Sequence, residues 1–137
     1  LLAYGAMVYR CLQAAEKLSE KGIEVTVVNA RFVKPLDKEL ILELIRNHKL
    51  IITAEDHALM GGFGSAVLEL VSDERENVNK ILRMGIPDRF IEHGPRNLML
   101  KNIGLDEGGI ADKFITTLDL MNIRGSFTKT GKQRLSV

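Results

Sequence analysis

The 137-residue chain is 45% hydrophobic and 27% charged with a net charge of +1, the composition of one ordinary globular domain long enough to bury a core unaided. No stretch is apolar over the length needed to cross a bilayer, and a single cysteine, Cys11, excludes an intrachain disulfide and a cysteine-based zinc site. Four of the 19 basic residues (Arg124, Lys129, Lys132 and Arg134) fall in the last fourteen positions, which hold no acidic residue. The remainder carries 15 basic against 18 acidic groups and offers no basic face for nucleic acid.

Leu1 to Gly5 reads as the tail of an apolar strand already under way, without an initiator methionine, so a fragment of a longer polypeptide is expected. Val8, Cys11, Leu12, Ala15 and Leu18 then recur at helical spacing, and Lys21-Gly22 supplies a last-turn cation and a left-handed cap. This placement makes Cys11 a core residue, consistent with a reducing compartment. Ile23 to Val28 is β-branched and predicts a strand. After Pro35, Asp37 is placed to cap a helix whose apolar face is Leu40, Ile41, Leu44 and Ile45, closing at Asn47-His48.

The middle of the chain reads strand, tight turn, helix. Leu50 to Ala54 is a buried-strand run that ends in Glu55, Asp56 and His57. Gly61, Gly62, Phe63, Gly64 and Ser65 make the turn, and Phe63, Val67, Leu70 and Val71 share one helical face. Ser72 to Asn77 is a charged connection into a strand at Lys80 to Met84, which Gly85-Ile86-Pro87-Asp88 breaks. A short helix from Asn97 to Ile103 closes at Gly104, and Asp106 caps a last helix with Ile110, Ala111, Phe114 and Leu118 inward. Residues 1–121 form the domain, and residues 122–137 a polar, basic tail, read as a frayed end with a basic interaction arm as the sharper alternative. The alternation of strand and helix implies an α/β domain with a mostly parallel sheet covered on both faces.

The glycine turn has a steric use, and its helix N-terminus could also hold an anion. It matches neither phosphate motif: Gly64 is followed by Ser65-Ala66 rather than lysine and Ser/Thr, and Val67 stands where the dinucleotide fingerprint needs glycine. Glu55, Asp56 and His57 could serve acid/base or metal chemistry, but neighbours on an extended strand alternate sides. The plainer reading has one carboxylate receiving loop N–H groups and the others solvated. Arg31 and Lys34 could bind phosphate or pair with Asp37 or Glu39, and His93 could titrate near neutrality or serve as a structural or interface histidine. Ser65 lacks the flanking glycines of a hydrolase elbow, and no nucleophile, base and orienter are spaced to meet.

Four stretches agree in order and spacing with one family. Asn29 to Asp37, Glu55 to Ser65, Ile86-Pro87-Asp88-Arg89-Phe90-Ile91-Glu92-His93-Gly94 and Gly104-Leu105-Asp106 closely resemble the 1-deoxy-D-xylulose-5-phosphate synthases. The resemblance runs from about Leu2 to Leu120 and corresponds to the last domain of those enzymes, of the transketolase C-terminal type. The acidic pair and glycine turn are shared with transketolases and with 2-oxoacid dehydrogenase beta subunits, while the Ile86 to Gly94 stretch favours the synthases. Asn29 stands where the family usually has Asp, and Asp56-His57 replaces Glu-Gly or Glu-Asn.

The resemblance implies a three-layer α/β/α unit with a mixed, mostly parallel five-stranded sheet that supports the other domains and the homodimer. The parent enzyme condenses pyruvate with glyceraldehyde 3-phosphate, using thiamine diphosphate and magnesium, in the bacterial cytoplasm or a plastid. The family holds that cofactor with a Gly-Asp-Gly motif and a glutamate in its first two domains, so no catalytic, cofactor or metal residue is assigned here. A free-standing anion-binding module is the reading from a different class.

Overall fold

The computed structural model describes residues 1–121, so the tail at 122–137, including its interaction-arm reading, lies outside the described residues. In chain order the elements are β1 (Leu2–Ala3), α1 (Met7–Ser19), β2 (Val28–Asn29), α2 (Lys38–Asn47) and β3 (Ile51–Ala58). There follow α3 (Phe63–Asp73), a 3-10 turn (Val78–Lys80), β4 (Ile81–Ile86), α4 (Arg96–Asn102) and α5 (Glu107–Leu120). The strands form one sheet in the order β2-β1-β3-β4 with every pair parallel.

Strand alternation divides the core into two layers. Ile52 and Ala54 of β3 join Met7, Cys11 and Leu18 of α1 and Ile110, Phe114 and Leu118 of α5 on one face. Ile51 joins Ile41 and Ile45 of α2 and Phe63, Val67 and Val71 of α3 on the other. The three-layer α/β/α architecture expected from the family resemblance is therefore present. Its ends are set locally: Asp37 Oδ1 accepts the Leu40 N–H at 3.1 Å and Asp106 Oδ1 the Gly109 N–H at 2.9 Å, each meeting an orphan donor of a helix N-terminus.

The sheet departs from expectation in its count and its strand limits. Among the described residues it has four parallel strands rather than five mixed ones. Each strand-to-strand connection contains a helix (α1, α2 or α3), the connection that parallel neighbours require, and after β4 the chain goes to loop and helix. The strand predicted from Ile23 is confined to Val28–Asn29, because its ladder partner β1 offers only Leu2 and Ala3; Ile23 and Val27 are buried by packing instead. Conversely, β3 continues through Glu55, Asp56 and His57 to Ala58, and β4 passes through Gly85 to Ile86.

These last two extensions have one cause. Ala54 pairs with Met84 and Ala58 with Ile86, so four steps along β3 match two along β4 and the strand bulges. A Cβ at Gly85 would lie 3.0 Å from both Glu55 Cγ and the His57 carbonyl oxygen. Gly85 therefore admits the bulge instead of ending the strand.

Cys11 is fully buried, and desolvation pushes its thiol up to about 11. The folded domain is expected to resist Ellman's reagent at pH 8 and to react with one equivalent on unfolding in guanidinium. Because the folded thiol holds its proton more tightly than the unfolded one, its contribution is intact below about pH 8.5. It is lost as pH rises through the folded value of about 11. Wild type should accordingly lose more stability than Cys11→Ala over that window, as read by thermal melts.

Candidate functional site

The chain moves outward from β1 to β2 on one side of the sheet and from β3 to β4 on the other, so the C-terminal ends of β1 and β3 flank a topological switch point. Open α/β sheets hold ligands in such crevices. Here the place is filled from within. Tyr4, just after β1, stacks on Phe63, the first residue of α3, with ring centroids 5.4 Å apart and planes at 20°.

Glu55, near the end of β3, has no exposed surface. Its Oε2 accepts the Phe63 N–H at 2.6 Å and its Oε1 the Gly64 N–H at 2.8 Å. A carboxylate at this point satisfies two donors that the first turn of α3 cannot satisfy itself and lies at the positive end of the helix dipole. No side chain at the N-cap, Gly62, could do this. The chain thus supplies its own anion to the turn at Gly61 to Ser65, and an external anion would have to share that space with a buried negative charge.

The glycines make the approach possible. A Cβ on Gly62 would lie 2.1 Å from Glu55 Oε2 and 2.4 Å from the Ala58 carbonyl oxygen, and one on Gly64 2.6 Å from Thr53 Oγ1. Gly61 serves a different need, with a φ of +71°. Ser65 Oγ donates to the Leu59 carbonyl at 3.2 Å and accepts from the Gly61 N–H at 3.1 Å and from Arg83 Nη1 at 2.7 Å. Arg83 also donates to the Leu59 carbonyl at 3.1 Å, so a side chain from β4 clamps the turn between β3 and α3.

Asp56 and His57 do not join Glu55. Asp56 Oδ2 accepts from Arg96 Nη2 at the start of α4, while His57 is exposed and its ring lies 3.4 Å from its neighbour's carbonyl oxygen. Arg31 is exposed, has a φ of +55°, and sits over the Phe32 ring at 6.0 Å. Neither Arg31 nor Lys34 forms an ion pair with Asp37 or Glu39. His93 is exposed in the loop between β4 and α4. Arg83 and Arg96, absent from the sequence candidates, are the cations that organise this end of the sheet. Strand parity carried part of the signal for Arg83, which pairs in register with Thr53, two residues before Glu55 on the same face.

This donor set does not fit thiamine diphosphate with magnesium. The N–H groups of α3 that could meet a diphosphate face Glu55, and no three His, Cys, Asp or Glu side chains converge to hold a metal among the described residues.

The sequence profile of the family described as transketolase, C-terminal domain, matches residues 1–110. The chain belongs to that family. It is 54% identical over 111 residues to 1-deoxy-D-xylulose-5-phosphate synthase 1 of Geobacter sulfurreducens, covering 81% of this chain and 17% of that protein. It is 48% identical to the synthase of a Synechococcus strain over 92% of this chain and 19% of the relative. Among solved structures it is similar to a split-gene transketolase described as an inactive beta4 tetramer, with a TM-score of 0.78, 33% identity, and coverage of 87% of this chain and 38% of that one. The transketolase C-terminal domain therefore spans less than a fifth of these synthase relatives. No helix among its described residues is long and apolar enough to cross a membrane.

Proposed function

We propose that residues 1–121 act as the C-terminal domain of a 1-deoxy-D-xylulose-5-phosphate synthase, a cytoplasmic or plastid transferase that condenses pyruvate with glyceraldehyde 3-phosphate for isoprenoid synthesis. In this reading the domain is a scaffold: it supports the other domains and the homodimer and supplies no catalytic residue. Thiamine diphosphate with magnesium provides the electron sink in the parent enzyme. What this chain contributes is a rigid sheet end, fixed by Glu55, Ser65 and Arg83, on which neighbouring parts of the enzyme rest. The observation that carries the scaffold reading is that the glycine turn directs its buried donors to Glu55 and so closes on itself. The identity to synthases, higher than that to the split transketolase, favours the synthase over a transketolase parent.

The test is a graft. The 137-residue chain replaces the matched segment of the Geobacter sulfurreducens synthase, and product formation from pyruvate and glyceraldehyde 3-phosphate is followed. Activity within about tenfold of the parent is expected, a difference of at most ~1.4 kcal/mol in barrier. The isolated chain titrated with thiamine diphosphate and Mg²⁺ in a calorimeter is expected to give no binding heat. An inactive graft would overturn the synthase reading, and magnesium-dependent cofactor binding by the isolated chain would overturn the scaffold reading.

A further inference from the structure

The Ile86 to Gly94 stretch carries the resemblance to the synthases in particular, and beyond Ile86, which ends β4, most of it faces solvent. Asp88, Arg89, Phe90, Glu92 and His93 are all exposed, and Phe90 is 90% exposed. Beside it, Met60 at the tip of the glycine turn is 67% exposed, and with Ala58, Ile86 and Pro87 these two side chains line one open groove at the C-terminal ends of β3 and β4. Two of the large apolar side chains that the described residues leave in water, Met60 and Phe90, therefore share this groove. Apolar groups clustered in this way on a soluble domain mark an interaction surface.

Charges on the rim decide between partners. Asp88 and Arg89 border the groove, and Asp56 is paired with Arg96 nearby, so neither sign prevails. Nucleic acid or a phosphate ligand calls for a basic field, which this rim lacks. Its mixed charges around apolar side chains suit another protein surface. The available body of protein is large: the chain spans 17% and 19% of its first two synthase relatives, so most of such a polypeptide lies outside it.

Resting on the synthase reading above, we infer that the Met60–Phe90 groove and its rim are the face on which the remaining domains of the same synthase polypeptide seat, through an apolar segment entering the groove. The test uses the active graft described above with Met60→Asp and Phe90→Asp introduced together. Leu120→Asp, at an exposed apolar position on α5 away from the rim (79% exposed), is the comparison. The double variant is expected to lose at least tenfold in activity, to melt in two separated transitions, and to become cleavable by protease between this domain and the rest. The Leu120→Asp graft should match the parent in all three.

In the isolated chain, the double variant should melt within a few degrees of wild type, which shows that folding itself is unaffected. A double-variant graft indistinguishable from Leu120→Asp would overturn the inference while leaving the synthase reading intact. It would also be overturned if the isolated wild-type chain sedimented as a dimer that the double variant dissolved, since the groove would then receive a second copy. A graft inactive before any rim substitution counts against the synthase reading, and this inference falls with it.

Discussion

Glu55→Ala is expected to lower the stability of the domain by about 4 kcal/mol, seen as a fall in Tm of roughly 15 °C by circular dichroism or calorimetry. The substitution leaves the N–H groups of Phe63 and Gly64 buried without an acceptor. Each such orphan costs about 1 to 3 kcal/mol, and the emptied volume adds a cavity term. Glu55→Gln should cost roughly half as much, because its amide keeps one acceptor oxygen but turns an NH₂ group toward the second donor. If Glu55→Gln and Glu55→Ala melted together near wild type, the carboxylate would not be holding the helix. A deficit for alanine matched by an equal deficit for glutamine would point to charge alone.

The second large effect is a ranking among three neighbouring glycines. Gly62→Ala is expected to be the worst, at about 3 kcal/mol or more, because overpacking against fixed atoms forces the backbone to move. Its new Cβ would meet both Glu55 Oε2 and the Ala58 carbonyl oxygen, the latter being backbone. Gly64→Ala meets side-chain atoms, Thr53 Oγ1 at 2.6 Å and Arg83 Cγ at 3.0 Å, which can rotate, so about 1 to 3 kcal/mol is expected. Gly61→Ala meets nothing within 4 Å but must adopt a φ of +71°, a conformational cost of about 1 to 2 kcal/mol. Urea denaturation of the three variants measures the order directly. Equal losses at all three positions would mean that backbone freedom, rather than close approach to Glu55, dictates this turn.

The helices were largely legible in the sequence because their determinants are local. Apolar spacing places Val8 to Leu18 and Ile110 to Leu118, Asp37 and Asp106 cap within three residues, and Gly22 and Gly104 carry the positive φ of a helix end. The strands were less legible because their limits depend on distant partners. The β-branched run from Ile23 looks like a strand wherever it lies, but only β1 decides how much of it is paired. Gly85 reads as a breaker until the bulge opposite it is known.

The site divides in the same way. The run from Glu55 to His57 shows acid and imidazole without showing which side chain turns inward. Alternation separates only Asp56 from its two neighbours, and the inward side chain is identified only once α3 is placed over that face. Arg96 lies forty residues from Asp56, and nothing in the intervening chain predicts that they meet.

Glu55 also matters to which structures the chain can avoid. Ile51 and Ile52 lie in different core clusters, so a slip of β3 by one residue would exchange the faces of the strand. It would move the carboxylate into the aliphatic layer beneath α1 and α5, where no backbone donors await it, and bury an unmatched charge. A leucine at that position would tolerate both alignments. The acid therefore acts as a register key for the sheet: every slip by an odd number of residues carries it away from the Phe63 and Gly64 N–H groups and into apolar surroundings.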